Sequence, residues 1–244
     1  MADEMTPQQR AAETKRKRTR EWIITSTLDL YGELSDEDFT REQIAEAAGV
    51  GLTTLSNHFT LKYEILQAAH DRLLAPIIDP IRAGAENGTY KPEDGVDELI
   101  RYVYAVVKMC QQHQALTMAM IRAYFEPTSY RALDLGSFIT KGLEPIFNAP
   151  PFIQGEGIEA AIHIFSQAGT RRSAFNYRYH TWALMMTLYH TAGNDDSAGT
   201  AQFACGQILA AALPEVDPRD LRERLPRVQE KVDSWFDRRK NLEM

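Results

Sequence analysis

Cysteine is scarce in this chain, and it has no long apolar run. Cys110 and Cys205 stand far apart without CxxC spacing, which excludes a disulfide scaffold or thiolate metal cage and predicts reduced thiols in a cytosol. No uninterrupted apolar stretch approaches the roughly 18 residues of a membrane span. The opening Met1-Ala2-Asp3-Glu4-Met5 is acidic with no apolar segment behind it, so the sequence predicts no export signal and a soluble, cytoplasmic protein. Catalytic signatures are missing too. There is no GxGxxG, P-loop or GxSxG. His113, His163, His180 and His190 lie on different predicted helices without HExxH spacing, and Asp195-Asp196 has no further carboxylate a turn away. These absences argue against an enzyme, a bound metal or another cofactor.

What remains is ordinary for a folded domain: 244 residues, 44% hydrophobic and 25% charged, well outside the composition of disorder. The net charge of −7 argues at first against nucleic acid as a partner. Its distribution reverses the argument. Lys15-Arg16-Lys17-Arg18-Thr19-Arg20 puts five cations in six residues of an otherwise acidic chain. Such a patch supplies phosphate contacts while the acidic remainder is held off the duplex; the plainer reading is a solvated charge run.

Helical periodicity dominates from residue 14 onward, and no alternating strand pattern interrupts it. Residues 1–13 are expected as a disordered tail. A first helix is predicted over 15–31, short ones over 41–48 and 52–58, and a longer one from Lys62 that ends or kinks near Pro76 and Pro80. Gly84 to Gly95 reads as a connection. Further helices are predicted over 96–112, 116–125, 129–147, 156–168, 173–191 and 200–213. After Pro214 and Pro218, a charged helix over 219–240 carries Leu221, Leu225, Val228, Val232 and Trp235 on one face. The fold class is therefore all-α, with a head over 14–66 and a larger helical domain over 67–244.

The stretch Thr40 to Phe59 carries the function. Thr40 with Gln43 three residues later is a capping box that starts a helix sharply. Ile44 and Ala48 face inward, and Ala45 is small where a second helix must cross. Gly49 suits a turn that needs positive φ, Val50 plugs the angle between the helices, and Gly51 begins the next one. There Leu55 and Phe59 point into the head, so at about 100° per residue Thr53 and Asn57 point away, flanked by Thr54, Ser56 and His58. A short helix with a small, polar outer face fits the major groove, where Asn pairs with adenine and a threonine methyl meets thymine. An αα-hairpin that merely packs is the competing reading.

This segment resembles the TetR family of bacterial regulators, over about Arg20 to Leu66. The match rests on Ile44-Ala45-Glu46-Ala47-Ala48-Gly49-Val50, Thr54-Leu55, Asn57-His58-Phe59 and Lys62. The resemblance implies a three-helix helix-turn-helix head, a ligand-binding and dimerisation body, a homodimer, a palindromic double-stranded DNA operator and a small-molecule effector that releases a repressor. It also implies a phosphate contact for Lys62. Three features depart from the family pattern: Ser56 replaces a usual tyrosine, Arg41 stands where an apolar residue is usual so that Phe39 takes over its packing, and the loop from Gly32 to Thr40 is long. The DNA-contacting set expected on these grounds is Lys15, Arg16, Lys17, Arg18 and Arg20 of the arm, with Thr40, Gly51, Leu52, Thr53, Thr54, Ser56, Asn57, His58 and Lys62. Thr53, Thr54 and Asn57 read bases; Ser56, His58 and Lys62 hold phosphates. A helical interaction protein or enzyme with an incidental helix-turn-helix is the alternative.

The body is rich in aromatic and methionine side chains, a composition that suits either an ordinary core or a ligand cavity. Candidates for the cavity are Tyr102, Met109, Met118, Arg122, Tyr124, Phe125, Phe138, His163, Trp182, Met186 and Tyr189. The resemblance places the homodimer contact in helices about 173–191 and 200–213, where Ala201, Ala204, Gly206, Ala210 and Ala211 permit close approach. The effector, the operator, the regulated genes and the sense of the ligand response are not legible, nor is the role of the 219–240 helix.

Overall fold

The computed structural model describes residues 6–33, 38–124, 142, 145–146, 196–212 and 218–242. Eight helices and no strand occur among them. They are α1 (Pro7–Glu33), α2 (Arg41–Ala47), α3 (Leu52–His58), α4 (Lys62–Glu86), α5 (Gly95–Gln112), α6 (Gln114–Tyr124), α7 (Ser197–Ala212) and α8 (Pro218–Leu242). The predicted helices over 129–147, 156–168 and 173–191 lie outside the described residues, save for helical Gly142, Pro145 and Ile146. No helix among the described residues is long and apolar enough to cross a membrane.

The chain divides into two compact units, one of residues 1–72 and 113–133, the other of 73–112 and 134–244. The first takes in residues 67–72 and α6, both of which the sequence reading placed with the body. Its core is built from Ile23, Tyr31 and Phe39, with Ile44, Leu55 and Phe59 from the helix pair and Ile65 and Leu66 from α4, all buried. Phe39 stands edge-on to Tyr31, ring centroids 5.0 Å apart, which fits the packing role expected of it.

Two elements differ from expectation for identifiable reasons. Residues 7–13, expected as disordered tail, form the first turns of α1. Thr6 and Gln9 make the same reciprocal cap as Thr40 and Gln43: Thr6 N donates to Gln9 Oε1 at 2.7 Å and Gln9 N to Thr6 Oγ1 at 3.3 Å. Pro7 at the first helical position completes the signal, since its missing N–H would have had no partner there. Helix α4 does not end at Pro76 or Pro80 but runs on to Glu86. Each interior proline costs about 3 kcal/mol, but Leu74, Ile77, Ile78 and Ile81 around them are buried, each contributing about 1.5–3 kcal/mol. Burial wins.

The second unit packs α7 and α8 on α5. Helix α5 buries Leu99, Tyr102, Val103, Val106 and Val107, and α8 lays Leu221, Leu225, Val228, Val232 and Phe236 against the unit. The last residue of that stripe is Phe236; Trp235, expected there, is only half-buried. Charged contacts pin α8 to α5. Asp94 caps α5 by accepting from Val96 N at 2.9 Å and Asp97 N at 3.2 Å, and it also accepts from Arg224, which reaches Asp97 at 2.9 Å. Arg227 pairs with Asp97 as well. Further along, Tyr104 Oη donates to Asp233 at 2.9 Å and Lys108 pairs with the same carboxylate. In this chain α8 thus braces the body. Ala201, Ala204 and Cys205 of α7 are buried within the unit, so these small residues serve packing inside one chain. Cys110 and Cys205 are both buried and form no disulfide, and burial pushes the Cys205 thiol well up.

Candidate nucleic-acid interface

The helix pair is set by local chemistry. Thr40 is extended (φ −75°, ψ 167°) and its hydroxyl accepts from Gln43 N at 3.3 Å, while Thr40 N donates to Gln43 Oε1 at 2.8 Å. Helix α2 ends in a paired closure: Val50 N donates to Ala45 O and Gly49 N to Glu46 O, both at 2.9 Å. That closure needs a left-handed residue, and Gly49 supplies φ +61°. Trp22 of α1 completes the corner by donating Nε1–H to Ala48 O at 2.9 Å, although its ring is 57% exposed.

With Leu55 and Phe59 buried, α3 turns Leu52, Thr53, Thr54, Ser56 and Asn57 outward, all exposed, with His58 half-buried beside them. Leu52, at 43% exposure, adds an apolar tip to a polar face. Thr40 and Gly51 are exposed at the helix starts. The outer surface is thus small, polar and unobstructed, as groove readout requires.

The cations fall into two groups. Lys15, Arg16, Lys17 and Arg18 are exposed along α1, so the basic run is helical; Lys17 pairs with Glu13 at 3.1 Å, one turn back. Arg20 is built into the fold: Nη1 donates to His58 O at 2.8 Å and the guanidinium lies 3.9 Å from the centroid of Phe59. Lys62 is likewise engaged, donating to Asp38 Oδ1 at 2.6 Å, and the same oxygen accepts from Tyr31 Oη at 3.2 Å. Burial, with Arg16 and Arg20 nearby, lowers the His58 pKa below its ordinary value. At neutral pH the imidazole is uncharged and donates through one nitrogen.

Sequence reasoning missed three working residues. Arg41, noted only as a departure, donates to Thr60 O at 2.9 Å, Phe59 O at 2.9 Å and Ser56 Oγ at 3.1 Å. Asp38 holds Lys62 from just before α2. Glu64 caps α4, accepting from Thr60 N at 2.6 Å and Leu61 N at 3.2 Å; its position three residues after Leu61 was the available signal.

Of the cavity candidates, Tyr102 and Met109 are buried in the second unit, whereas Met118 is half-buried and Arg122 exposed in the first. A Cβ on Gly142 would lie 2.6 Å from Tyr102 Oη, so the backbone there closes on the phenol. Tyr124 ends α6, its side chain outside the described set; Phe125, Phe138, His163, Trp182, Met186 and Tyr189 lie outside the described residues. Among the described residues no cluster of histidine, cysteine or carboxylate is arranged to hold a metal.

Comparison with family models finds no match, and neither does comparison with curated proteins. Among solved structures the chain is similar to RolR, determined in complex with resorcinol, at a TM-score of 0.52 and 16% identity over 87% of this chain and 95% of that one. It also aligns with a TetR-family transcriptional regulator from Streptomyces coelicolor, at a TM-score of 0.45 and 15% identity over 93% and 98% of the two chains. The helical fold seen among the described residues is similar to that of RolR.

Proposed function

We propose that the protein is a sequence-specific DNA-binding transcriptional regulator, a dimeric repressor released from a palindromic operator by a small molecule. The observation that carries the reading is the outer face of α3: Thr53, Thr54, Ser56 and Asn57 exposed over a buried Leu55 and Phe59. Asn57 and the two threonines read base edges. Ser56 and His58 meet phosphates, joined by Lys15, Arg16, Lys17 and Arg18 from the helical arm. Arg20 acts through position, fixing the end of α3. Lys62 reaches a phosphate by exchanging Asp38 for it.

A C2 dimer would present two α3 helices about 34 Å apart, one turn of DNA. Helices about 173–191 and 200–213 form its contact, through the face of α7 on which Phe203 is 58% exposed. That RolR was determined with resorcinol supports an effector site in the helical body. The test is to select bound sequences from a random DNA pool and screen small molecules for release of the winner. An enriched palindrome and a releasing compound are expected; a pool that stays random overturns the reading.

A further inference from the structure

The second unit holds an open cleft of about 360 Å³, at the small end of ligand sites. Its floor comes from α4, where Pro76, Ile77, Pro80 and Ile81 present paired rings and aliphatic side chains at i, i+1, i+4 and i+5. Opposite, Lys231, Trp235 and Arg238 of α8 stand at i, i+4 and i+7, one stripe of that helix. The cleft is therefore an apolar slot with Trp235, Lys231 and Arg238 on one wall.

Charge balance within it is uneven. Arg101, also lining the cleft, donates twice to Glu98 at 2.9 and 2.7 Å, and Tyr90 Oη donates to the same carboxylate at 3.1 Å. That corner is internally satisfied. Lys231 and Arg238 make no ion pair with any described residue, although Arg238 also borders a shallow groove with Glu230 and Asp237. Two cations without an ion pair among the described residues, beside an apolar slot in a chain of net charge −7, complement an anion with an apolar body. The slot is too small for a macromolecule. None of the cavity candidates named from the sequence lines it.

We propose that this cleft binds a small organic carboxylate with an aromatic or medium-chain apolar body. The body lies on Pro80, Ile81 and Trp235, and the acid group takes a charge-assisted hydrogen bond from Lys231 or Arg238 at the rim. This deepens the effector reading by giving a location and a ligand class, and its test contains no DNA, so either can fail alone.

The probe is naphthalene-2-carboxylate, titrated into the full-length protein by calorimetry and tryptophan fluorescence against the neutral 2-naphthalenemethanol. The carboxylate binds about tenfold more tightly or better, the ratio expected for one charged hydrogen bond. The double variant Lys231→Gln/Arg238→Gln, at exposed positions, keeps its melting temperature and loses that ratio. Ile81→Trp, which fills the slot, loses both ligands. Equal affinity for acid and alcohol, no binding of either, or a preference that survives the double variant overturns the proposal.

Discussion

Arg41 Nη2 donates to Ser56 Oγ at 3.1 Å, and this contact joins the two positions at which the head departs most from the pattern it resembles. The same guanidinium donates to the carbonyls of Phe59 and Thr60. These acceptors lie where α3 has run out of its own N–H donors, so a cation there satisfies them and complements the helix dipole. A tyrosine at 56 would meet Arg41; a serine accepts from it. The two departures form one contact.

Arg41→Leu is therefore expected to destabilise the protein by about 1 kcal/mol, the usual net value of a few part-exposed hydrogen bonds. Arg41→Lys will recover little of it, because an ammonium lacks the planar fork. Urea denaturation of both variants and of Ser56→Ala, arranged as a double-mutant cycle, should give a nonzero coupling. Strict additivity would remove the contact from this account.

Gly49 has φ +61° and open space where a Cβ would stand. The cost of Gly49→Ala is then purely conformational, about 1–2 kcal/mol. Gly49→Asn should cost visibly less, since asparagine tolerates the left-handed region. Thermal melts of the two variants decide; equal losses would mean that space, not φ, selects glycine.

Burial and nearby arginines lower the pKa of His58, so the phosphate contact proposed for it would make DNA binding pH-dependent. A phosphate beside the imidazole raises its pKa, so the complex takes up a proton as pH falls through the range between the free and bound values. Affinity for DNA, measured by fluorescence anisotropy at constant salt, should rise from pH 7.5 to 5.5. His58→Gln should flatten the profile. A slope unchanged in that variant would remove His58 from the phosphate contacts.

His70 is fully buried, and burial, with His113 nearby, lowers its pKa from 6.5 to about 4. The folded state holds the neutral ring, whereas the unfolded chain protonates near 6.5. Stability contributed by this group is thus present above pH 6.5 and lost as pH falls towards 4, with a limiting slope of about 1.4 kcal/mol per unit. His70→Gln should reduce that slope in denaturation midpoints taken between pH 7 and 4.5.

Asp38 holds Lys62 in an ion pair, which would compete with the phosphate contact proposed for that lysine. Asp38→Asn should strengthen binding to all sequences alike and steepen the salt dependence by about one ion. Lys62→Ala should weaken all sequences alike. A sequence-selective effect in either variant would argue that Lys62 reads a base.

The head was legible because its determinants are local: a capping box, a glycine turn, and apolar positions one turn apart. The Thr6–Gln9 box was equally local, but its helix lacks an apolar face at that end, so periodicity gave no reason to look there. The internal partners of Arg41, Asp38 and Arg20 were not legible because they lie 15 to 38 residues away; charge composition reports a charge and not its partner. The same holds for the body. The stripe on α8 was visible, but only the pairing of Asp94, Asp97 and Asp233 with α8 and α5 residues shows that it braces its own chain. Trp235 and Phe236 are neighbours in sequence, and pattern alone could not decide which faces the core.

The most direct test is the affinity of the wild-type and Asn57→Ala proteins for a selected DNA sequence and for random DNA as salt is raised. The account predicts a steep linear fall of log affinity with log salt for the wild type. It predicts a loss on Asn57→Ala confined to the selected sequence, about 1–3 kcal/mol for one bidentate base contact. No retention at low salt, a flat salt response, or equal loss on both DNAs would contradict it.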